Sequence, residues 1–255
     1  MQLFYRHFGK GQPLIILHGL FGQSDNWVTI GRRLSERFSV YIPDLRNHGR
    51  SPHDAIHSYP AMVDDLAGFL ETCRIEKPVL VGHSMGGKTA MAFAFRYPEK
   101  VAALAVIDIS PRQYPESPEV KKVISEMQQI VPEQFHTLRE IEKYLQQRVA
   151  DPQVRMIALK NLCYETPGKP AWRLNLEAIS HNLGQIFESV ETDRTYNGPA
   201  LFVRGEKSGY VVDDDIPEIK KYFPSALIKT IPGATHWIHA DAPEEIVNVL
   251  NEFLA

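Results

Sequence analysis

Six short apolar runs, rich in valine, isoleucine and leucine, limit the folds that this chain can adopt. Because they do not alternate strictly between apolar and polar residues, they predict strands covered on both faces of a mostly parallel sheet. Amphipathic helical patterns lie between several runs, for example over residues 59–72 and 85–96. The alternation predicts a doubly wound α/β sheet, which binds ligands beyond the carboxyl ends of its strands. The runs occupy residues 13–19, 38–44, 77–83, 101–108, 199–205 and 226–233.

The alternation stops between about Ser110 and Asn197, where the chain shows helical patterns and no strong strand candidate. Thr137 and Glu140 have the spacing of a capping box at the start of one of these helices. We therefore interpret residues 110–197 as a helical cap inserted between strands. Residues 1–109 and 198–255 would then form one α/β core.

The composition argues against several other classes of protein. Of the 255 residues 44% are hydrophobic, which is enough for one sizeable core. A net charge of −3, without a long basic run, gives little attraction to nucleic acid. No apolar run is long enough to span a bilayer, and the first residues do not resemble a signal peptide. The two cysteines have neither CxxC nor metal-ligand spacing, so we expect a cytoplasmic protein without a metal.

The pentapeptide GHSMG at residues 82–86 is the strongest functional motif in the chain. It matches G-x-S-x-G, and it has the predicted strand before it and the predicted helix after it that this motif requires. The sharp turn between these elements exposes the serine hydroxyl at the edge of the sheet, while the flanking glycines avoid collisions with neighbouring backbone. Ser84 is therefore the candidate nucleophile.

Two loops after other predicted strands carry groups that would complete such a site. His236 follows the run that ends at residue 233, so it is expected at the same sheet edge as Ser84 and is the candidate base. The loop HGLFG at residues 18–22 follows the first run and can offer a backbone N–H group to an oxyanion. Leu20 is the first choice for that donor, with Phe21 next, and Met85 is the second donor.

With these motifs assembled, the chain resembles an α/β-hydrolase with a cap domain. The segments DLRNHGRS (44–51), GHSMGGK (82–88), WRLN (172–175) and HWIHA (236–240) are most similar to those of the bacterial YbfF-type acyl esterases and thioesterases. This resemblance implies a catalytic triad and an oxyanion hole. It also implies hydrolysis of esters or acyl-CoA thioesters without a metal or an organic cofactor.

The acid of that triad departs from the usual pattern. Most members of the superfamily carry it in a G-x-x-D pattern after the strand that corresponds to residues 199–205, but here Ser208 stands in that place. Some members place it instead after the strand that follows the nucleophile, where this chain has Asp108. The chain order of Ser84, Asp108 and His236 agrees with the order for this fold. Asp108 is therefore the candidate acid, and the alternatives are Asp213, Asp214 and Asp215.

The expected reaction is acyl transfer to water through an acyl-enzyme on Ser84. Four residues are candidates for substrate binding, namely Phe21, His83, Trp172 and Trp237. The cap aromatics Phe135, Tyr144, Tyr164 and Trp172 would cover an apolar acyl pocket. Alternatives on the same fold are a carbon-carbon bond hydrolase, a cofactor-free haloperoxidase and a non-catalytic ligand-binding homologue. The sequence leaves acyl chain length and oligomeric state open.

Overall fold

The computed structural model describes residues 1–131, 134–135, 137–166, 169–190 and 192–255. Its centre is a sheet of seven strands, which are β1 (Tyr5–Phe8), β2 (Gln12–Leu17), β3 (Phe38–Pro43), β4 (Val79–His83), β5 (Ala103–Ile107), β8 (Ala200–Gly205) and β9 (Ala226–Ile231). Their order in the sheet is β1-β3-β2-β4-β5-β8-β9. Strand β1 is antiparallel to β3, and every other neighbouring pair is parallel.

The six predicted strands are confirmed as β2 to β5, β8 and β9, and the doubly wound architecture is confirmed with them. Their apolar runs do not alternate because both faces of the sheet are covered. On β2, Ile15 and Leu17 pack into one hydrophobic cluster, whereas Leu14 and Ile16 pack into another. Strand β1 was not predicted, because it lies at the sheet edge and alternates between exposed and half-buried residues.

Helices cover both faces of this sheet. Outside the segment between β5 and β8 they are α1 (Val28–Leu34), α2 (Tyr59–Cys73), α3 (Met85–Arg96), α9 (Ile216–Tyr222), α10 (Ile238–Asp241) and α11 (Pro243–Phe253). The two helices that the sequence predicted at residues 59–72 and 85–96 are α2 and α3. Helices α2 and α3 contribute to the first cluster, and α1 and α11 contribute to the second.

We call residues 110–197, between β5 and β8, the cap segment. Its elements are α4 (Pro118–Gln129), α5 (Leu138–Gln146), α6 (Pro152–Lys160), β6 (Leu162–Thr166), β7 (Lys169–Trp172), α7 (Leu176–His181) and α8 (Leu183–Phe187). The hydrogen bond predicted at the start of α5 is present, since Thr137 Oγ1 accepts the Glu140 N–H at 3.3 Å. Within the described residues no helix is long and apolar enough to cross a membrane.

The expectation of an all-helical cap segment was wrong, because β6 and β7 form an antiparallel pair. The pair was missed because both strands are short and Pro170 lies inside the second one. Proline removes a backbone donor, so it argues against a central strand, but an isolated two-stranded pair tolerates it on an open edge.

A buried lysine joins the two ends of the cap segment to the core. Lys88, on α3, is 1% exposed, and its ammonium donates to the carbonyl of Arg112 at 2.9 Å and to that of Glu188. Burial lowers the pKa of Lys88 to about 7, because the charged form loses its hydration. These two hydrogen bonds hold the outgoing and the returning chain against the helix that follows Ser84.

Candidate active site

Ser84 lies in a strained turn between β4 and α3, at φ 53° and ψ −118°. Two glycines make that turn possible. A Cβ atom on Gly82 would lie 2.3 Å from the carbonyl oxygen of Gly86, and one on Gly86 would lie 2.4 Å from that of Leu17. The Ser84 N–H donates to the Ile107 carbonyl on β5 at 3.0 Å, which fixes the turn to the sheet. The hydroxyl therefore stands at the carboxyl end of the sheet, beside the N-terminus of α3.

His236 and Asp108 meet at the same edge. His236 Nδ1 lies 2.8 Å from Asp108 Oδ2, and the carboxylate is fully buried. Asp108 Oδ1 also accepts the Gly205 N–H at 3.0 Å, and the Ser208 hydroxyl donates to Oδ2. Because a carboxylate only accepts hydrogen bonds, the proton of neutral His236 resides on Nδ1 and Nε2 keeps its lone pair. A histidine in this tautomer can accept a proton from a serine hydroxyl.

The three alternative acids have other contacts. Asp213 is 83% exposed and pairs with Arg204 at 2.7 Å, and Asp214 is exposed. Asp215 is buried and pairs with the Arg112 guanidinium at 2.6 Å. Ser208, at the position where the resemblance led us to expect an acid, is a hydrogen-bond donor to Asp108 instead. The carboxylate beside His236 is therefore that of Asp108.

Two aromatic rings hold His236 in place. Tyr210 stacks on the imidazole with 3.8 Å between ring centroids and 19° between ring planes. His83 Nε2 lies 2.9 Å from the His236 carbonyl, so this nitrogen carries a proton and donates to it. Burial lowers the pKa of His83 well below its ordinary value near 6.5, which keeps the ring neutral. His83, a predicted substrate contact, lines the cleft and also anchors the loop that carries His236.

The backbone donors predicted for an oxyanion can be compared directly. The Phe21 N–H donates to His48 Nε2 at 3.2 Å, so it is already engaged. Within the described residues the Leu20 N–H has no acceptor, and the Met85 N–H, in the first turn of α3, has none inside its helix. Gly19 brings this loop against the serine, since a Cβ there would lie 3.2 Å from Ser84 Cβ. Of the two loop residues, Leu20 is therefore the one whose N–H has no acceptor among the described residues.

Ser84 and His236 line an apolar cleft, whose empty space is about 800 Å³ when the open solvent at its mouth is included. Of the candidates for substrate binding, Phe21 and Trp237 line this cleft, but Trp172 does not. It lies on β7, and its buried indole nitrogen has no partner among the described residues. The other cap aromatics named from the sequence are absent from the lining too. The lining side chains that sequence reasoning missed come from α2, the residue pair after β5, the cap segment and the loop after β8: Tyr59, Ile109, Tyr114, Glu119, Val120, Val123, Val154, Ile157, Ile186, Phe187 and Tyr210.

Buried neutral histidines beneath the site predict a loss of stability in acid. Burial lowers the pKa of His18 to about 4 and that of His48 to about 3, from an ordinary value near 6.5. Below pH 6.5 the unfolded chain binds protons that the folded chain excludes, so stability falls until these lower values are reached. From pH 7.5 to pH 5.0 the two rings together should remove about 4 kcal/mol from the free energy of unfolding.

Urea unfolding at both pH values checks this expectation. His48→Gln removes one of these rings, so the loss of stability in that variant should be smaller than in the unmodified protein by about 2 kcal/mol. Equal stability of the unmodified protein at pH 7.5 and pH 5.0 would show that these rings are not held neutral.

Residues 12–243 match the model of the alpha/beta hydrolase fold family. The chain belongs to the α/β-hydrolase fold family. The resemblance inferred from the motifs is therefore confirmed, and so is the fold.

Three relatives, named as lipase or esterase, show how close the likeness is. The chain is 42% identical over 254 residues to the sn-1-specific diacylglycerol lipase ABHD11 of Danio rerio, covering 96% of this chain and 80% of that protein. It is 30% identical to esterase YbfF of Escherichia coli, covering 96% and 94%. A solved structure of a marine microorganism esterase superposes with a TM-score of 0.96 at 44% identity, covering 99% of both chains.

Proposed function

We propose that this protein is a serine hydrolase of carboxylic esters, with Ser84 as nucleophile, His236 as general base and acid, and Asp108 as the acid that orients the histidine. The observation that carries the proposal is the 2.8 Å contact between His236 and a fully buried Asp108, with His236 and Ser84 lining one apolar cleft. The relatives that bear the names esterase and lipase support it.

The reaction proceeds in two acyl transfers. His236 Nε2 takes the hydroxyl proton while Ser84 Oγ bonds to the substrate carbonyl carbon, and the oxyanion accepts hydrogen bonds from the Leu20 and Met85 amides. The bond from that carbon to the leaving oxygen breaks, and His236 donates its proton to the leaving alcohol. His236 then takes a proton from water, whose oxygen attacks the acyl-enzyme, and returns it to Ser84. The acid is released and the enzyme is regenerated.

The cleft favours an apolar acyl group and a neutral ester. The cap segment covers it with aliphatic side chains of α4 and α6, which fit hydrocarbon. Glu119 is the one lining residue with a carboxylate among the described residues, and it is exposed at the mouth. Because a carboxylate there repels phosphate groups, acyl-CoA thioesters should be poorer substrates than neutral esters of the same acid.

Initial rates on two butyrate substrates test this proposal. We expect hydrolysis of p-nitrophenyl butyrate, and a kcat/KM for butyryl-CoA lower by about tenfold at low salt, corresponding to about 1.4 kcal/mol. The difference should narrow in high salt, which screens Glu119. A folded protein that cleaves neither substrate, and whose Ser84 does not react with a fluorophosphonate, would contradict the proposal and favour a ligand-binding homologue.

A further inference from the structure

The peptide groups on both sides of Phe21 are held by buried side chains from two different parts of the chain. The Phe21 N–H donates to His48 Nε2 at 3.2 Å, and the Phe21 carbonyl accepts from Asn161 Nδ2 at 2.6 Å. Phe21 itself has a φ of 61°. This backbone conformation is energetically unfavourable for any residue other than glycine. Such a conformation persists only where its surroundings impose it, so these two contacts define the loop next to Ser84.

His48 imposes the first contact from the core. Its ring is fully buried and neutral, and Nδ1 lies 2.9 Å from the Arg46 carbonyl, so Nδ1 donates and Nε2 is the acceptor. His18 has a parallel role, since its Nε2 accepts the Leu45 N–H at 2.9 Å. The Phe21 N–H is therefore engaged by a side chain of the DLRNHG loop. The preceding amide, that of Leu20, is the one left without an acceptor among the described residues.

Asn161 imposes the second contact from the cap segment. It follows α6, is fully buried, and also donates to the Ile157 carbonyl at 2.9 Å. Its neighbours extend the junction, since Gln23 Nε2 donates to the Lys160 carbonyl at 3.1 Å and the Arg173 guanidinium donates to Gln23 Oε1 at 3.3 Å. The loop that carries Leu20 and Phe21 is thus joined to the cap segment through polar groups outside the cleft lining.

We propose that His48 and Asn161 are positioning residues of the oxyanion hole, which turn the Leu20 N–H toward Ser84 only while the cap segment is seated on the core. The inference rests on the proposed serine hydrolysis and adds to it a coupling between the cap segment and the rate of the chemical step. The oxyanion hole would then be complete only when the cap segment is in contact with the core. Removing Asn161 should act like the loss of one oxyanion donor, which lowers kcat by about 10²- to 10³-fold.

The test compares two asparagines that both join the cap segment to the core. Asn161→Leu keeps a similar volume and removes the donor to Phe21. Asn182→Leu is the matched control, because Asn182 Nδ2 donates to the Ala55 carbonyl at 2.9 Å, away from the loop that carries Leu20. On p-nitrophenyl butyrate we expect Asn161→Leu to lower kcat about 100-fold with KM nearly unchanged, and Asn182→Leu to lower it less than about threefold.

Two further measurements separate positioning from a loss of folded protein. The rate is divided by the number of serines titrated to completion with a fluorophosphonate, so unfolded molecules do not contribute. Affinity for a trifluoromethyl ketone, which forms an oxyanion on Ser84, should fall in proportion to kcat, whereas affinity for the matching alcohol should not.

At the other contact, His48→Gln retains an acceptor near the position of Nε2 and should keep most of the kcat that His48→Leu loses.

Two results would overturn this inference in different ways. If the unmodified protein is active but Asn161→Leu keeps its kcat per titrated serine, the positioning role is wrong and the proposed function stands. The same holds if Asn161→Leu changes only KM or the content of titratable serine. An unmodified protein without hydrolysis, equal to Ser84→Ala, would overturn the proposed function and this inference together.

Discussion

Changing Ser84 to alanine is expected to lower kcat for p-nitrophenyl butyrate by about 10⁶-fold. Among the described residues, no other side chain both stands on a strained strand-to-helix turn and lines the cleft together with His236. No group is therefore placed to form the bond to the acyl carbon that Ser84 forms. Circular dichroism and the urea midpoint should stay close to those of the unmodified protein, since Ser84 is half-buried and its side chain caps no helix. The measurement is the initial rate with a correction for contaminating esterases.

A folded Ser84→Ala variant with a rate within tenfold of the unmodified protein would contradict the role given to Ser84. The substrate would then react with water or with another nucleophile. A tyrosine of the cleft, such as Tyr59 or Tyr210, would be the next residue to change.

Asp108→Asn should lower kcat by about 10⁴-fold. The amide of this variant can present an N–H group to His236 Nδ1. That hydrogen bond favours the tautomer with the proton on Nε2, which removes the lone pair that must accept the serine proton. Burial makes the loss severe, because water cannot replace a carboxylate at a position that is 0% exposed. The control is Asp213→Asn, since the Asp213 carboxylate is 83% exposed and pairs with Arg204.

The comparison of these two variants decides which acid serves the histidine. Asp213→Asn should keep its kcat within about twofold, since a surface ion pair contributes little. Near-normal activity of folded Asp108→Asn would remove Asp108 from the proposed site. The hydrogen bond that Ser208 donates to the same carboxylate would then be a structural feature of the loop alone.

The sheet and the serine turn could be predicted because their signals are local. A run of apolar residues marks a strand covered on both faces, and GHSMG between such a strand and a helix permits few other structures. Asp108 could be inferred only through the place held by Ser208, since an aspartate before Ser110 and Pro111 also fits an ordinary turn. Its φ of 50° and its hydrogen bond to Gly205 depend on a strand that lies far along the chain.

The lining of the cleft could not be predicted in the same way. An amphipathic stripe marks the face of a helix that is buried, but it does not say whether that face meets the core or a ligand cleft. Val123 of α4 lines the cleft, whereas Trp172, the more conspicuous residue, lies on a strand that the sequence did not show. The contacts of Phe21 with His48 and Asn161 join segments far apart in the chain, so they became visible only in three dimensions.

The central claim, that Ser84 carries the acyl group, is tested most directly by finding that group on the enzyme. The protein is mixed with excess p-nitrophenyl butyrate, quenched in acid during steady turnover, and examined by intact mass and peptide mapping. We expect a mass increase of one butyryl group on the peptide that contains Ser84, and no such increase in Ser84→Ala. A butyryl group on another residue would contradict the claim. So would turnover that leaves no acylated protein even when deacylation is slowed at low pH.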